Sequence, residues 1–278
     1  MEDTFQCAAT PFYLCGALTL ELQMPSHILT VYQLSDPSMK FIAKKVHEES
    51  KELEIFKLLD TFQRKSEHII SFHESFQTQS TLWAILPKMS SVPNIVSFSR
   101  KELYGKVAQV CWGLIKGVAY LHELCIAHRD IKPQNLVVDE NFCLKIIDFD
   151  IAMQVNDEDE MVDGQCGTEG WMAPEMEERS MYSPIKADRW SSGQVILYLL
   201  DKLKKEDIIL RTAARKLTVH DPNQRPSMVQ VAASLWDVVN VVVERKPTQS
   251  LQDTVEVEGA IGKPPVAKKR KLSVADQN

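Results

Sequence analysis

Residues 128–136 read HRDIKPQNL, and residues 148–150 read DFD. They place an acid at Asp130, a lysine at Lys132 and an amide at Asn135, with a second acid at Asp148, thirteen residues beyond the asparagine. An acid, a lysine and an asparagine at these offsets are what two metal ions and a phosphoryl group require. We therefore take the two stretches as the candidate active site.

The composition is that of a globular protein. The 278 residues are 44% hydrophobic and 25% charged, which suits one large domain or two lobes. A net charge of -6 argues against a general nucleic-acid binder, so no direct nucleic-acid binding is expected. The six cysteines show neither CxxC pairs nor histidines at zinc spacing, which predicts reduced thiols in an intracellular protein. The chain has no apolar run long enough for a membrane span, and its first residues lack the pattern of a secretory signal.

The apolar pattern predicts an α+β fold with two lobes. Short apolar bursts in residues 17–46 predict three antiparallel strands, a helical pattern follows in residues 47–60, and residues 72–76 and 81–86 predict two further strands. Beyond these the chain is mostly helical, with helices predicted over residues 101–124, 186–203, 205–217 and 227–243. We expect an N-lobe at residues 17–88 and a C-lobe at 89–245. An extension of residues 1–16 would precede them, and a disordered tail of residues 246–278 would follow.

The motifs HRDIKPQN, DFD and GTEGWMAPE, in this order and spacing, resemble the eukaryotic protein kinase family over residues 17–243. The resemblance implies a two-lobed kinase fold that uses ATP and Mg²⁺. Asp130 would accept or orient the proton of a substrate hydroxyl, Lys132 would neutralise the transferring phosphate, and Asn135 and Asp148 would hold magnesium. Lys132 after the HRD motif, with Thr168 in GTEG, resembles the serine/threonine class, so a protein serine or threonine is the expected substrate.

A lysine of the strand FIAKKV is expected to bind the nucleotide phosphates, by the same resemblance. A strand period of two puts Ala43 and Lys45 on one face and Lys44 on the other, so Lys45 is the predicted lysine. Its predicted partner is Glu54, because Leu58 one turn later can face the core. The alternatives are exposed glutamates: Glu48, Glu49 and Glu52.

The purine ring should lie against apolar side chains between the lobes, which the resemblance assigns to Val31, Ala43 and Val137. Its edge would be bound by the carbonyl of Pro87 and the N–H of Met89, since proline keeps an acceptor while lacking a donor. Plain core residues would produce the same pattern.

Three further residues resemble the scaffold of the family rather than its chemistry. Glu175 of APE and Arg225 of NQRPS are expected to form a buried ion pair that fixes the segment before the APE motif. Asp188 of DRWSSG is expected to hold the catalytic loop from a central helix.

Two departures from the family concern the nucleotide. No glycine occurs between Gly16 and Gly105, so the turn QMPSHILTVY should cradle phosphates poorly. Asp150 replaces the glycine of the DFG triplet and would either add a metal ligand or repel the phosphates. The alternative function is therefore a pseudokinase that acts as a scaffold or allosteric partner, and a third interpretation is a damaged gene fragment.

Two further departures concern the C-lobe. Residues 149–166 contain no Ser, Thr or Tyr but include NDEDE, whose carboxylates at residues 157–160 we expect to pair with Arg129; a solvated acidic loop is the alternative. Only 34 residues separate Trp190 from Arg225, which is short for this family. The docking surface for substrates should therefore be reduced.

The tail carries a compact basic cluster behind two prolines, in GKPPVAKKRKLS. It indicates a nuclear-import signal read by an import receptor, with an ordinary solubilising tail as the alternative. Nuclear localisation is the resulting expectation. The members of the cluster are Lys268, Lys269, Arg270 and Lys271.

Overall fold

The computed structural model describes residues 12–14, 28–33, 36–46, 50–77, 82–178 and 181–235. Its first part is a five-stranded antiparallel sheet in the order β1-β2-β3-β5-β4, with one helix, α1, between β3 and β4. The helix and four of the strands, β2 to β5, confirm the prediction for this lobe, whereas the first predicted strand does not coincide with β1. The elements are β1 (Phe12–Leu14), β2 (Ile28–Gln33), β3 (Asp36–Val46), α1 (Lys51–Thr61), β4 (Glu74–Gln77) and β5 (Leu82–Pro87).

Helix α1 begins where Ser50 accepts a hydrogen bond from the backbone N–H of Leu53, a standard N-cap. Its buried positions recur at steps of three and four residues, at Glu52, Ile55, Phe56 and Leu59. Leu53 packs with Val46 and Ala84 of the sheet. One face of the helix is thereby packed against the sheet that carries Lys44 and Lys45.

The second part is mainly helical and contains the largest apolar core. Helix α3 contributes a buried stripe that includes Val107, Leu114 and Leu121, against which α5 packs. The elements are β6 (Ser90–Ser91), α2 (Val92–Phe98), α3 (Arg100–Glu123), β7 (Ile126–Ala127), β8 (Leu136–Val138), β9 (Leu144–Ile146), β10 (Met153–Gln154), α4 (Pro174–Glu177), α5 (Pro184–Leu203) and α6 (Ile208–Leu217). Short 3₁₀ turns cover Pro133–Asn135 and Pro222–Gln224, and residues 228–235 are helical.

The loop that leads from α1 to β4 packs closely on α3. A Cβ added at Gly113 would lie 2.9 Å from Leu144 Cβ, and one at Gly117 would lie 3.1 Å from the carbonyl oxygen of His68. His68 also bonds to the β9 region through its backbone, where the N–H of Ile146 donates to its carbonyl at 2.9 Å. The two glycines thus allow both the α1–β4 loop and strand β9 to pack against α3.

Some predicted elements lie outside the described residues, and one observed strand was not predicted. The predicted strand of residues 17–22 lies outside the described residues, as do the glycine-free turn at residues 24–27 and the tail. Strand β1 lies instead within the segment expected to precede the N-lobe, where three apolar residues are too few to produce a clear alternation. The helix predicted over residues 227–243 is present at 228–235, and its remainder is outside the described part.

None of the helices in the described ranges is both long and apolar enough to cross a membrane. The cysteines that the structure describes, at positions 111, 125, 143 and 166, are free thiols.

Candidate active site

The catalytic loop places four polar side chains in one closed hydrogen-bond network. Thr168 donates to Asp130 Oδ1 at 2.7 Å, while Lys132 donates to Asp130 Oδ2 and to Thr168, each at 2.7 Å. Asn135 donates to Asp130 Oδ2 and to the Asp130 carbonyl, both at 2.9 Å. The spacing of HRDIKPQNL therefore brings together the residues that it predicts.

A buried carboxylate of α5 binds the backbone of this loop. Asp188, 1% exposed on α5, accepts the backbone N–H of His128 at 2.7 Å and of Arg129 at 2.8 Å. Arg129 adopts a left-handed conformation with φ 68°, which costs a non-glycine residue conformational energy. The two hydrogen bonds stabilise this turn, and the predicted role of Asp188 is confirmed.

Thr168 reaches the loop because Gly167 precedes it. Gly167 has φ +98°, and a Cβ at this position would lie 2.8 Å from the carbonyl oxygen of Arg129. A side chain would therefore push Thr168 away from Asp130. This requirement explains why the first residue of GTEG, Gly167, is a glycine.

The structure corrects the choice of lysine in β3. Lys44 Nζ lies 2.6 Å from Asp148 Oδ1, 2.9 Å from Glu52 Oε2 and 3.1 Å from Asp150 Oδ2. Lys45, the predicted residue, is exposed and points to the other side of the strand. The prediction was wrong by one position, and a shift of one residue in a strand moves every side chain to the opposite face.

The glutamate partner was also predicted wrongly. Glu52, fully buried, pairs with Lys44 and also accepts the backbone N–H of Phe149 at 3.3 Å. Glu54 is 61% exposed and pairs with Lys51 at 3.2 Å. The buried stripe at positions 52, 56 and 59 identifies Glu52, whereas Leu58, on which the prediction rested, is only partly buried.

The same register error affects two predicted purine contacts. Val31 and Ala43 pack with Phe41 and Ile85 in a separate cluster, and strand alternation puts Ala43 on the face opposite Lys44. Side chains on the Lys44 face of the sheet are instead those of Thr30, Ile42 and Leu86, by the pairing Thr30↔Ile42 and Ile42↔Leu86. The sequence prediction did not include these three residues, because it chose the wrong lysine. Once Lys44 is chosen, strand alternation and pairing identify them.

The remaining predicted nucleotide residues surround the connection between the two parts. Pro87 ends β5, and Met89 lies just before β6 and packs against the main core. Val137 is buried on β8, where it pairs with Ser91 of β6. Their contact with a purine stays a prediction.

Three carboxylates surround one ammonium group at this site, so negative charge is in excess. Burial opposes the charge of Lys44, but Glu52 and Asp148 outweigh it and raise the pKa of Lys44. Burial raises the pKa of Glu52 despite the attraction of Lys44. For Asp148, burial would raise the pKa, but Lys44 more than compensates and the net pKa is lowered.

Asp150 fits its position without the backbone freedom of glycine. It is absent from the residues with positive φ in the described ranges, whereas Asp148 has φ 71°. The aspartate that replaces glycine therefore introduces no left-handed strain. Its effect is one of charge, since its carboxylate contacts Lys44.

Comparison with known protein families matches residues 35–249 to the protein kinase domain. The matched region covers well over half of the 278 residues. The chain belongs to the protein kinase family. The predicted membership of the protein kinase family and the predicted two-lobed α+β architecture are confirmed.

Curated relatives of this kinase domain are serine/threonine-protein kinases. The chain is 30% identical over 190 residues to the serine/threonine-protein kinase STE20 of Debaryomyces hansenii, covering 68% of this chain and 17% of that protein. It is 30% identical over 190 residues to CST20 of Candida albicans, covering 68% of this chain and 15% of that one. It is 34% identical over 142 residues to pakF of Dictyostelium discoideum, covering 50% of this chain and 12% of that protein. The chain thus matches less than a fifth of the length of these relatives.

The kinase domain contains the predicted ion pair below the active site. Arg225 donates to Glu175 Oε1 at 2.6 Å and to Oε2 at 2.7 Å, a bidentate contact. Its other donors reach the carbonyls of Val219, His220 and Lys186. Arg225 is 2% exposed, and all its N–H groups find acceptors, so the predicted pair is confirmed.

The predicted pairing of Arg129 with the acidic run is wrong in this kinase domain. Arg129 donates to the Tyr182 hydroxyl at 3.2 Å and to the Ile151 carbonyl at 3.4 Å, which are neutral partners. Two of the four acidic side chains, Glu158 and Asp159, instead contact Arg189 and Lys186 of α5. The sequence could not reveal these partners, because they lie about thirty residues further along the chain.

Proposed function

We propose that this protein transfers the γ-phosphate of Mg-ATP to a serine or threonine hydroxyl of a protein substrate. The observation that carries the proposal is the closed network of Asp130, Lys132, Asn135 and Thr168. The pseudokinase alternative is not favoured over it, because the groups required for the chemical step are all present. The match to named serine/threonine-protein kinases supports the same reaction.

Asp130 is the group suited to accept the substrate proton. Its carboxylate is 12% exposed at the cleft and is oriented by hydrogen bonds to both oxygens. Asn135 and Lys132 keep it in one rotamer, which pre-organises it for the hydroxyl that attacks. Lys132 also provides a positive charge 2.7 Å from Asp130, where phosphoryl oxygens would gather negative charge.

Asp148 and Asn135 fit a magnesium site by the chemistry of their oxygens. Mg²⁺ prefers carboxylate and amide oxygens, and the Asp148 side chain is 35% exposed beside the catalytic loop. Both hydrogen bonds donated by Asn135 use Nδ2, which leaves its amide oxygen for another partner. When bound, the metal would neutralise charge on the transferred phosphoryl group.

Lys44 would bind the phosphates of the nucleotide, and Glu52 would hold Lys44 in place. Glu52 is fully buried and fixes the position of Lys44 from α1, so the ammonium group is aimed at the cleft beside Asp148. Thr30, Ile42 and Leu86 provide the adjoining face of the sheet. Pro87, Met89 and Val137 complete the proposed purine site at the connection between the lobes.

The test is labelled-phosphate transfer by the purified full chain to a peptide library containing serine and threonine. We expect Asp130→Asn to lower the rate at least about a hundredfold, the usual contribution of a general base. The binding of Mg-ATP should be largely retained, because Asp130 is not one of the proposed nucleotide or metal ligands, although asparagine can accept at only one of the two positions where Asp130 accepts. Nucleotide binding by the wild type with no transfer would instead support the pseudokinase.

For the tail we propose nuclear import through Lys268, Lys269, Arg270 and Lys271. A compact basic run behind prolines, in a chain of net negative charge, supports this proposal. Deleting residues 263–272 should move a fluorescent fusion of the full chain from nucleus to cytoplasm. An unchanged nuclear signal would refute the proposal.

A further inference from the structure

The segment between DFD and APE must hold Thr168 against Asp130, yet it lacks the usual means of fixing such a segment. Residues 149–166 contain no hydroxyl side chain that a kinase could phosphorylate. They do contain the carboxylates of residues 157–160, and two of these carboxylates meet cations of α5.

One carboxylate meets a buried arginine. Glu158 pairs with the guanidinium of Arg189, which is 4% exposed on α5. Arg189 also donates to the carbonyl of Arg225 at 3.3 Å, but Glu158 is its anionic partner among the described residues. The guanidinium is buried while the Glu158 side chain is 54% exposed, so solvent screens this ion pair from the carboxylate side.

A second pair lies one residue further along. Lys186 donates to Asp159 Oδ1 at 2.6 Å and to Asn223 Oδ1 at 2.7 Å, and the lysine is 9% exposed. The hydroxyl of Ser183 donates to the carbonyl of Glu158 at 2.6 Å. The first turn of α5 therefore binds both the side chains and the backbone of the acidic run.

The same surface continues toward Thr168. Val162 and Tyr182 exchange backbone hydrogen bonds at 2.9 and 3.0 Å. Val162 and Met172 also pack on the cluster formed by Ala173, Tyr182 and Ala187. Residues 158–162 and the stretch that carries Thr168 therefore pack on the same part of the C-lobe.

We propose that Arg189 and Lys186 are positioning residues that order this segment through Glu158 and Asp159, so that phosphoryl transfer needs no phosphorylation of the segment. The inference rests on the proposed kinase activity. The carboxylates take the place of a phosphate, but their cations come from α5 and not from Arg129. Neither cation touches the reacting atoms; both act through the position of Thr168.

The test compares Glu158→Gln/Asp159→Asn with Asp157→Asn in the full chain. Asp157 belongs to the same run, but its described contact is the backbone N–H of Asp159 at 2.8 Å, which asparagine can keep. The double variant should lose about four- to twenty-fivefold in kcat, because each pair is exposed on its carboxylate side and is worth about two- to fivefold. KM for ATP should stay within about twofold, since the contacts of Lys44 are unchanged. The control should match the wild type.

A second readout separates this inference from the kinase activity itself. Limited proteolysis within residues 156–170, at a temperature where both variants are folded, should be about tenfold faster in the double variant than in Asp157→Asn. Equal cleavage of the two variants would overturn the inference even if no substrate is phosphorylated. Where transfer is observed, phosphatase treatment of the wild type should leave it unchanged within about twofold, and a loss of activity after treatment would also overturn it.

Discussion

Among single residues, those around Lys44 set the charge of the nucleotide site. Glu52 and Asp148 suffice to hold this ammonium group, and Asp150 adds a third carboxylate 3.1 Å away. The phosphates of a nucleotide would have to compete with Asp150 for Lys44. Because Asp150 is 54% exposed, solvent screens this competition and keeps it modest.

We therefore expect Asp150→Asn to tighten ATP binding without metal by about two- to fivefold, the effect of one exposed ion pair. Titration calorimetry in EDTA and in Mg²⁺ would measure it. Glu54→Gln is the matched control, because Glu54 is an exposed carboxylate whose partner is Lys51 rather than Lys44. If Asp150→Asn instead weakened binding only in Mg²⁺, Asp150 would be a metal ligand rather than a competitor.

Among the helices and strands, α3 joins the N-lobe loop to the catalytic strands through two glycines. Gly113 and Gly117 are one turn apart and leave room for Leu144, Ile146 and His68. Gly105, earlier on the same helix, would have no atom within 4 Å of an added Cβ and so serves as an internal comparison.

Gly113→Ala and Gly117→Ala should each lower the free energy of unfolding by about 1–3 kcal/mol, because the extra methyl group overpacks the contact. Gly105→Ala should raise it by about 0.4–1 kcal/mol, since alanine restricts the unfolded chain. Urea unfolding of the three variants measures both effects. Stabilisation by Gly113→Ala equal to that by Gly105→Ala would show that the loop does not pack on this helix.

Across the whole molecule, Arg225 connects α4, α5 and the chain that precedes residues 228–235. It pairs with Glu175 while donating to three carbonyls, and it lies 5.1 Å from the centre of the Trp190 ring. The segment that ends at APE is therefore fixed to the C-lobe by one buried cation.

Arg225→Met should destabilise the protein by about 3–5 kcal/mol, because Glu175 and the carbonyls lose their partner in a buried site. Lys51→Met is the comparison: its pair with Glu54 is exposed on both sides, and the expected change is about 0–1 kcal/mol. Thermal or urea unfolding of both variants gives the difference. A similar, small loss in both would contradict the structural role of Arg225.

The sequence predicts contacts between residues that are close along the chain better than contacts between residues that are far apart along it. Asp130, Lys132 and Asn135 sit at short fixed offsets, so their motif predicts the network in which they meet. Lys44 was missed because two adjacent lysines make the strand register ambiguous by one residue, and Glu52 was set aside because Leu58 was expected to face the core. The pairs of Glu158 with Arg189 and of Asp159 with Lys186 join distant stretches, which only the tertiary structure brings together.

Phosphoryl transfer by Lys44→Met beside Lys45→Met, in the full chain with Mg-ATP, tests the proposed nucleotide site and its catalytic use together. We predict a loss of about ten- to a hundredfold for Lys44→Met, since the charge-assisted contacts to the phosphates disappear. Lys45→Met should stay within about twofold of the wild type, because that side chain is exposed. An equal or larger loss for Lys45→Met would contradict the site described for this kinase domain.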